Sequence, residues 1–495
     1  MSKKIVKNLL FKVYLVVTTR LKRFLVVTYL ILYQPTIELY KGFEMKKYIV
    51  SLLLVCISMT LLNAHGGAIK QPENDHPSSV LIQNVNIFDG VNEKLAMDQD
   101  VLVEENKIKQ IGKNLTAPKE ATVINGDGRT LLPGFIDAHT HLQWNVGITA
   151  FIDSPPDYHA ALALVEAKRS LMRGFTTLRD VGGSIFGIKK SIDEEWHMGP
   201  RLYTSGAAIG MTSGHGDFRS LNTWPRQMGG EAISPVEALG ISMFADGVPE
   251  VLTVTRDQFR KGAHFIKILG GGAVSGLRDP LDIAEYSLEE LKAFVGEAER
   301  WNTYAAIHTY TDKSSRTALE AGVKTLEHAN LITEDTVKLA KEKGAYISAQ
   351  TGFFLEPSPD SFNEGQKKRH KEAADGLDNL MKACKKHGIT PAFGTDFVTS
   401  METKELQLAE FTNRLKWYTP YEILVQATSF NAEILALSGP RNPYPGKLGV
   451  IEEGALADIL LINGNPLKDL KILLHPDEHL DLIMKDGKIY KNSIK

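Results

Sequence analysis

Between positions 131 and 437 apolar and polar residues alternate in a steady rhythm. Short apolar segments ending in polar or Gly-rich turns are followed by amphipathic stretches of ten to twenty residues. The strand-like segments are LLPGFID, FTTLRD, RLYTSGA, AHFIKIL, YAAIH, KTLEH, AYISAQ and ITPAFGTD. Helix-like stretches lie between them, as at 287–301 (SLEELKAFVGEAERW) and 333–343 (TEDTVKLAKEK). Eight strand–helix alternations predict an α/β fold, a (β/α)8 TIM barrel. An open doubly wound sheet is the alternative, but no Gly-rich dinucleotide turn follows the first strand. The flanks, 79–130 and 447–492, consist of short alternating strands with Asn/Asp/Gly turns, and predict one small β-sandwich domain formed from both chain ends.

The start of the chain carries a different pattern. Positions 45–66 combine a charged beginning (Met45, Lys46, Lys47), an apolar middle and a small-residue exit, which predicts a secretory signal peptide and a periplasmic or secreted protein. Cys56 lacks the preceding small residues of a lipidated cysteine, which disfavours a lipoprotein. Residues 1–44 read as an extension from a start codon assigned too early. A membrane anchor there would be interrupted by Arg20, Lys22 and Arg23. Removal of the signal leaves Cys384 alone, so an intrachain disulfide and a cysteine–zinc site are both excluded.

Composition then narrows the partners. The apolar (43%) and charged (23%) fractions over 495 residues are those of a globular protein with room for a large and a small domain. Residues 1–64 hold ten Lys/Arg and two Asp/Glu, leaving 47 basic and 57 acidic residues from 65 onward. An acidic body argues against nucleic acid as the partner. A homo-oligomer is compatible with the sequence.

The chemistry begins at LPGFIDAHTHL. Residues i and i+2 of a strand share a face, so His139 and His141 would present two imidazoles side by side to one metal ion. In TIM barrels functional residues sit at the C-terminal ends of strands. Those positions add Lys267, His308, His328 and Asp396, enough ligands for two ions. Lys267 lies in an apolar strand, HFIKILGGG, where an ammonium must lose its proton, pair with an acid or react. One outcome is a neutral amine that adds carbon dioxide as a bridging carbamate; the other is an ion pair with a neighbouring acid. A lone His at a strand end is more often structural, the role expected of His264 and His387. Asp396 in PAFGTDF could cap a turn, but Gly394 before it would let the backbone approach a site closely.

These segments resemble the metal-dependent amidohydrolase superfamily in order and spacing: LPGFIDAHTHL, FIKIL, IHTY, LEHAN and FGTD, closed by GKLGVIEEGALADILLINGNPL. The likeness spans about 79–492. Within it, TTLRDVGG, GHGD and KILGGGAVSGLRDP resemble the imidazolonepropionase-like branch that includes Xaa-Pro and Xaa-Arg dipeptidases and N-acyl-amino-acid hydrolases. The resemblance implies that His139, His141 and Asp396 hold one metal and His308 and His328 the other, with carboxylated Lys267 and a hydroxide between them. Many relatives carry a second His two positions after the strand-five ligand; this chain has Tyr310.

The implied activity is a binuclear metal-dependent hydrolase that cleaves an amide bond in a dipeptide with a C-terminal Pro- or Arg-like residue, or in an N-acyl amino acid. Zinc suits the ligands, and manganese or cobalt would also fit. Hydroxide would attack the carbonyl, with Asp396 as general base and then acid. Tyr310 or His215 would bind the oxyanion or a substrate carboxylate, and Arg278 is a further carboxylate candidate. Two other readings are a mononuclear cyclic-amide hydrolase or deaminase, which would not need Lys267, and a non-catalytic scaffold, which would not need six intact ligand positions.

Overall fold

In the computed structural model, which describes residues 77–276 and 278–494, the apolar segments of the central region form parallel strands. They are β6 (Phe135–Thr140), β7 (Phe175–Asp180), β8 (Arg201–Thr204), β11 (Ile266–Leu269), β12 (Ala305–Thr311), β13 (Thr325–Leu331), β14 (Tyr346–Ala349) and β15 (Ala392–Phe393). β6, β7 and β8 make one sheet; a second runs β10–β9–β11–β12–β13–β14–β15, where β9 is Ala208–Gly210 and β10 is Ser242–Phe244. Main-chain hydrogen bonds also link the two sheets at both margins. Asp396 N donates to His139 O (2.9 Å), and His264 N donates to Thr204 O (2.9 Å). Sheets of this kind with helices between the strands fit a TIM-barrel domain. The expected extension 1–44 and signal peptide 45–66 lie outside the described residues.

The strands are apolar runs because both faces are covered. All six residues of β6 and of β7 are buried, as are all four of β11. The charged residues in these runs, Arg179 of β7, Lys267 of β11 and Glu327 of β13, are therefore committed to partners or to chemistry. The helices start where their caps lie. Ser287 and Glu290 form a capping box ahead of Leu288–Arg300, and Thr333 precedes Glu334–Glu342, so the stretches predicted at 287–301 and 333–343 differ from the helices only by cap residues.

Several predicted strands are shorter than their apolar runs, and LLPGFID divides between β6 and a strand Thr130–Pro133. RLYTSGA contributes only β8, because Gly206 turns the chain with φ 71° before β9 begins at Ala208. ITPAFGTD contributes only β15, since the chain leaves the sheet at Gly394 and enters a left-handed turn at Asp396 (φ 54°).

Both chain ends meet in an eight-stranded sheet. It holds β1 (Ser79–Ile87), β2 (Ala96–Glu104), β3 (Lys107–Gly112), β4 (Thr122–Asn125), β5 (Thr130–Pro133), β16 (Ile459–Ile462), β17 (Leu480–Lys485) and β18 (Lys488–Asn492). β16 pairs antiparallel with β5, Leu461 opposite Leu131, which joins the C-terminal strands to the N-terminal ones. Alternation decides which core each residue enters. Leu131, Ile459, Leu461 and Leu482 meet in the sheet's own core, while Leu132, Leu460, Ile462 and Ile483 join the core of the parallel strands. Each such side chain contributes about 1.5–3 kcal/mol by leaving water. Everything described lies in one compact unit, 71–495.

Candidate metal centre

All six sequence-predicted ligands, His139, His141, Lys267, His308, His328 and Asp396, line a single cavity of about 610 Å³, together with His215 and Tyr310. The parallel register explains this: Leu269 lies opposite His308, and Thr309 opposite His328, so these residues of neighbouring strands stand at nearly one level. Backbone geometry sharpens the convergence. His328 (φ 71°), Ala329 (φ 57°) and Asp396 (φ 54°) occupy the left-handed region, which is costly for residues with a side chain and gathers at functional sites.

His139, His141 and Asp396 form the tightest group, with one ligand atom from each within 4.8 Å of the others. The outward nitrogens are already engaged. His139 Nδ1 lies 2.8 Å from Glu327 Oε2, and His141 Nδ1 lies 2.9 Å from Gly182 O. Both Nε2 atoms therefore face Asp396 Oδ1, at 3.4 Å and 3.3 Å. His139 Nε2 and His328 Nδ1 are buried and have no hydrogen-bond partner among the described residues. Orphaned buried nitrogens beside a carboxylate fit a cation, which would satisfy them together.

His308 and His328 stand beside this group, their rings 4.5 Å apart, with His328 5.0 Å from His139. Burial pushes both imidazoles well below their usual range, so both are neutral and able to ligate. Lys267 is buried and, among the described residues, makes no hydrogen bond or ion pair. Burial lowers its ammonium to about 8, against the pull of Glu327 and Asp396. The ion-paired alternative would need an acid in contact with it, and none touches it among the described residues. Burial opposes charge on Asp396 too, but His139 and His141 outweigh it and hold the carboxyl well below its usual range.

The remaining predicted residues sort cleanly. Tyr310 stacks on His328 (5.1 Å, 7° between planes), and burial, with Asp396 next, keeps its phenol protonated. His215 stacks on His308 (4.4 Å) and is fixed through Nδ1 by Asp279 Oδ2 at 3.0 Å. Arg278 departs from expectation: it is exposed, binds the Arg219 carbonyl and does not line the cavity. His264 is structural, accepting from Thr204 N through Nδ1 (2.9 Å). His387 pairs with Glu334 at the end of the helix Glu364–His387.

Sequence reasoning missed the layer behind the ligands. Glu327 is fully buried between His139, Arg179 Nη1 (2.9 Å) and Thr325 Oγ1 (2.8 Å). Asp137 accepts from Thr395 Oγ1 (2.7 Å) and Gln407 Nε2 (2.9 Å), while burial raises it to about 6. The available signal was an opposite pair of charges, Arg179 and Glu327, inside strands buried on both faces.

Comparison with known proteins gives the family. The chain is 30% identical over 412 residues to an ochratoxinase of Aspergillus niger, covering 79% of this chain and 82% of that one. Among solved structures it matches a prolidase complexed with N-methylphosphonate-L-proline (TM-score 0.77, 28% identity, 84% of this chain and 100% of that one). It also matches a Xaa-Pro dipeptidase with methionine bound in its active site (TM-score 0.73, 25% identity, 84% and 100%). The amidohydrolase family profile spans residues 130–491, and the chain belongs to that family: it is a hydrolytic enzyme acting on carbon–nitrogen bonds.

Proposed function

We propose that this enzyme hydrolyses the amide bond of a small N-acyl amino acid or dipeptide and releases the amino acid, using two divalent cations. The observation that carries this reading is Lys267, a buried amine without a partner beside five imidazole and carboxylate ligands in one cavity. In its neutral form it would add carbon dioxide and lose a proton, and the anionic carbamate would supply oxygen donors to the cations. His139, His141 and Asp396 would hold one ion, His308 and His328 the other, zinc suiting them best. Bound there, the cations would lower the pKa of water and polarise the scissile carbonyl.

The rest falls to this chain's own side chains. Asp396, held ionised, accepts the proton of the attacking water and returns it to the leaving nitrogen. Tyr310 keeps its proton and donates to the carbonyl oxygen as negative charge develops there. His215, oriented by Asp279, is a polar contact for the substrate carboxylate. No guanidinium lines the cavity among the described residues. Its walls are aromatic instead: Trp144 meets Phe218 edge-on at 5.7 Å, and Phe353 meets Phe354 at 5.1 Å. Such walls favour an apolar or aromatic acyl half.

The reading includes a closed barrel over 131–437, a β-sandwich from 79–130 and 447–492, and export after removal of the signal peptide at 45–66. It is tested with protein beginning at residue 65, loaded with zinc in bicarbonate and offered dipeptides and N-acyl amino acids. Amino-acid release by the parent and none by Lys267→Ala is the expected result. A parent holding two ions yet releasing nothing would sink the amino-acid-releasing reading.

A further inference from the structure

Glu327 touches both halves of the proposed centre, one through its side chain and one through its backbone. Its Oε2 lies 2.8 Å from His139 Nδ1, and its Oε1 takes hydrogen bonds from Arg179 Nη1 (2.9 Å) and Thr325 Oγ1 (2.8 Å). Arg179 is itself pinned by Tyr304 Oη and the Ala138 carbonyl, at 2.9 Å and 2.8 Å. Glu327 and Arg179 are both fully buried, so neither charge is shared with water. His328 follows directly, and the left-handed turn there brings its ring to 5.0 Å from the His139 ring. An ordinary strand would send successive side chains to opposite faces. Here the carboxylate of one residue and the imidazole of the next flank the same histidine.

We infer that Glu327, clamped by Arg179, is a positioning residue that fixes the His139 ring with Nε2 toward the metal. The carboxylate accepts a hydrogen bond from Nδ1–H, which selects the tautomer whose Nε2 lone pair is free. Gln350 Nε2, 3.2 Å from the same Nδ1, is also a donor and cannot replace that acceptor; its amide is directed to the Ser348 carbonyl at 2.9 Å. A carboxylate behind a ligating imidazole also raises its basicity, and loss of such a partner costs roughly 10- to 100-fold in metal affinity. The inference rests on the two-ion reading above and concerns which ion depends on Glu327.

The test is a cobalt titration followed by absorbance and by metal content per chain, with the melting temperature of metal-free protein as the fold control. Glu327→Gln alone would strand the Arg179 cation, so the variant is Glu327→Gln combined with Arg179→Met, which removes the buried pair together. We expect parent-like metal-free melting, one ion held as in the parent, and a second weakened about 10- to 100-fold. Should the double variant fail to fold, Glu327→Asp keeps the charge on Arg179 while drawing the carboxylate back from His139, and the same selective weakening is expected. Two ions bound with parental affinity in the folded variant would overturn the inference. A parent that holds a single ion would defeat the two-ion reading; loss of that ion in the variant would still uphold the role of Glu327, and its retention would overturn it.

Discussion

A β-carbon placed on Gly394 would lie 2.7 Å from His139 Cβ and 3.2 Å from His139 N. Two strands can approach this closely only where one carries no side chain. The contact sets Asp396 against His139, because Asp396 N donates to the His139 carbonyl at 2.9 Å. Gly394→Ala should therefore separate the two ligands. The expected cost is about 1–3 kcal/mol of stability, and metal content should fall further than that loss of folding explains. Calorimetry of metal-free protein beside metal analysis checks it, and a variant with full metal content would show that the contact is dispensable.

The aromatic wall makes a prediction about substrates. Phe353 lines the cavity and packs against Phe354 at 5.1 Å, yet it is only half-buried, so its removal should leave the fold intact. Phe353→Ala is expected to lower kcat/KM for an N-aroyl amino acid by about 10- to 100-fold, in line with 1–3 kcal/mol of lost apolar contact. The N-acetyl analogue with the same leaving amino acid should be nearly unaffected. Equal losses on both substrates would place the acyl group elsewhere.

Cys384 is buried in the face of the helix Glu364–His387, and burial pushes its thiol up to about 12. Thiolate is the reactive form, so the folded protein should resist alkylation at pH 8. In a chain carrying Cys56→Ser, a maleimide should label Cys384 only after denaturant is added. Rapid labelling of native protein would mean that the helix opens locally.

Lys485 at the end of β17 gives a pH signature. Burial, then the nearby Arg201, lowers its ammonium to about 8, against the attraction of Asp458 and Asp486. The unfolded chain, with its lysine near 10.4, therefore binds more protons between pH 8 and 10.4. This residue's contribution to stability consequently rises with pH across that window and is least favourable below it. Lys485→Met should stabilise the protein at pH 7 by on the order of 2–3 kcal/mol. Its advantage over the parent should shrink as pH climbs past 8, as parallel urea titrations would read. A constant difference would show that the ammonium is not the cause.

The eight parallel strands and the six residues that line one cavity were legible because each depends on short-range pattern. Apolar runs of strand length, the two-residue spacing of His139 and His141, and polar residues at strand ends are all local. A charged Lys267 in an apolar strand stood out, since burial of a lone ammonium is too costly to be incidental. The pairing of opposite chain ends was legible too, as matching alternation in 79–130 and 447–492.

Only the tertiary structure decided what stands behind and around those ligands. Glu327 and His139 are separated by 188 positions, and no local pattern joins them. The break between β8 and β9 and the exit of the chain after β15 follow from left-handed turns at Gly206 and Asp396, which apolar patterning does not register. Arg278 read as a candidate for the substrate carboxylate, yet its loop turns it to solvent and onto the Arg219 carbonyl. Chain pattern placed the strands and the polar residues near their ends; long-range packing decided where each strand stops, which of those residues share a cavity and which histidine nitrogen faces it.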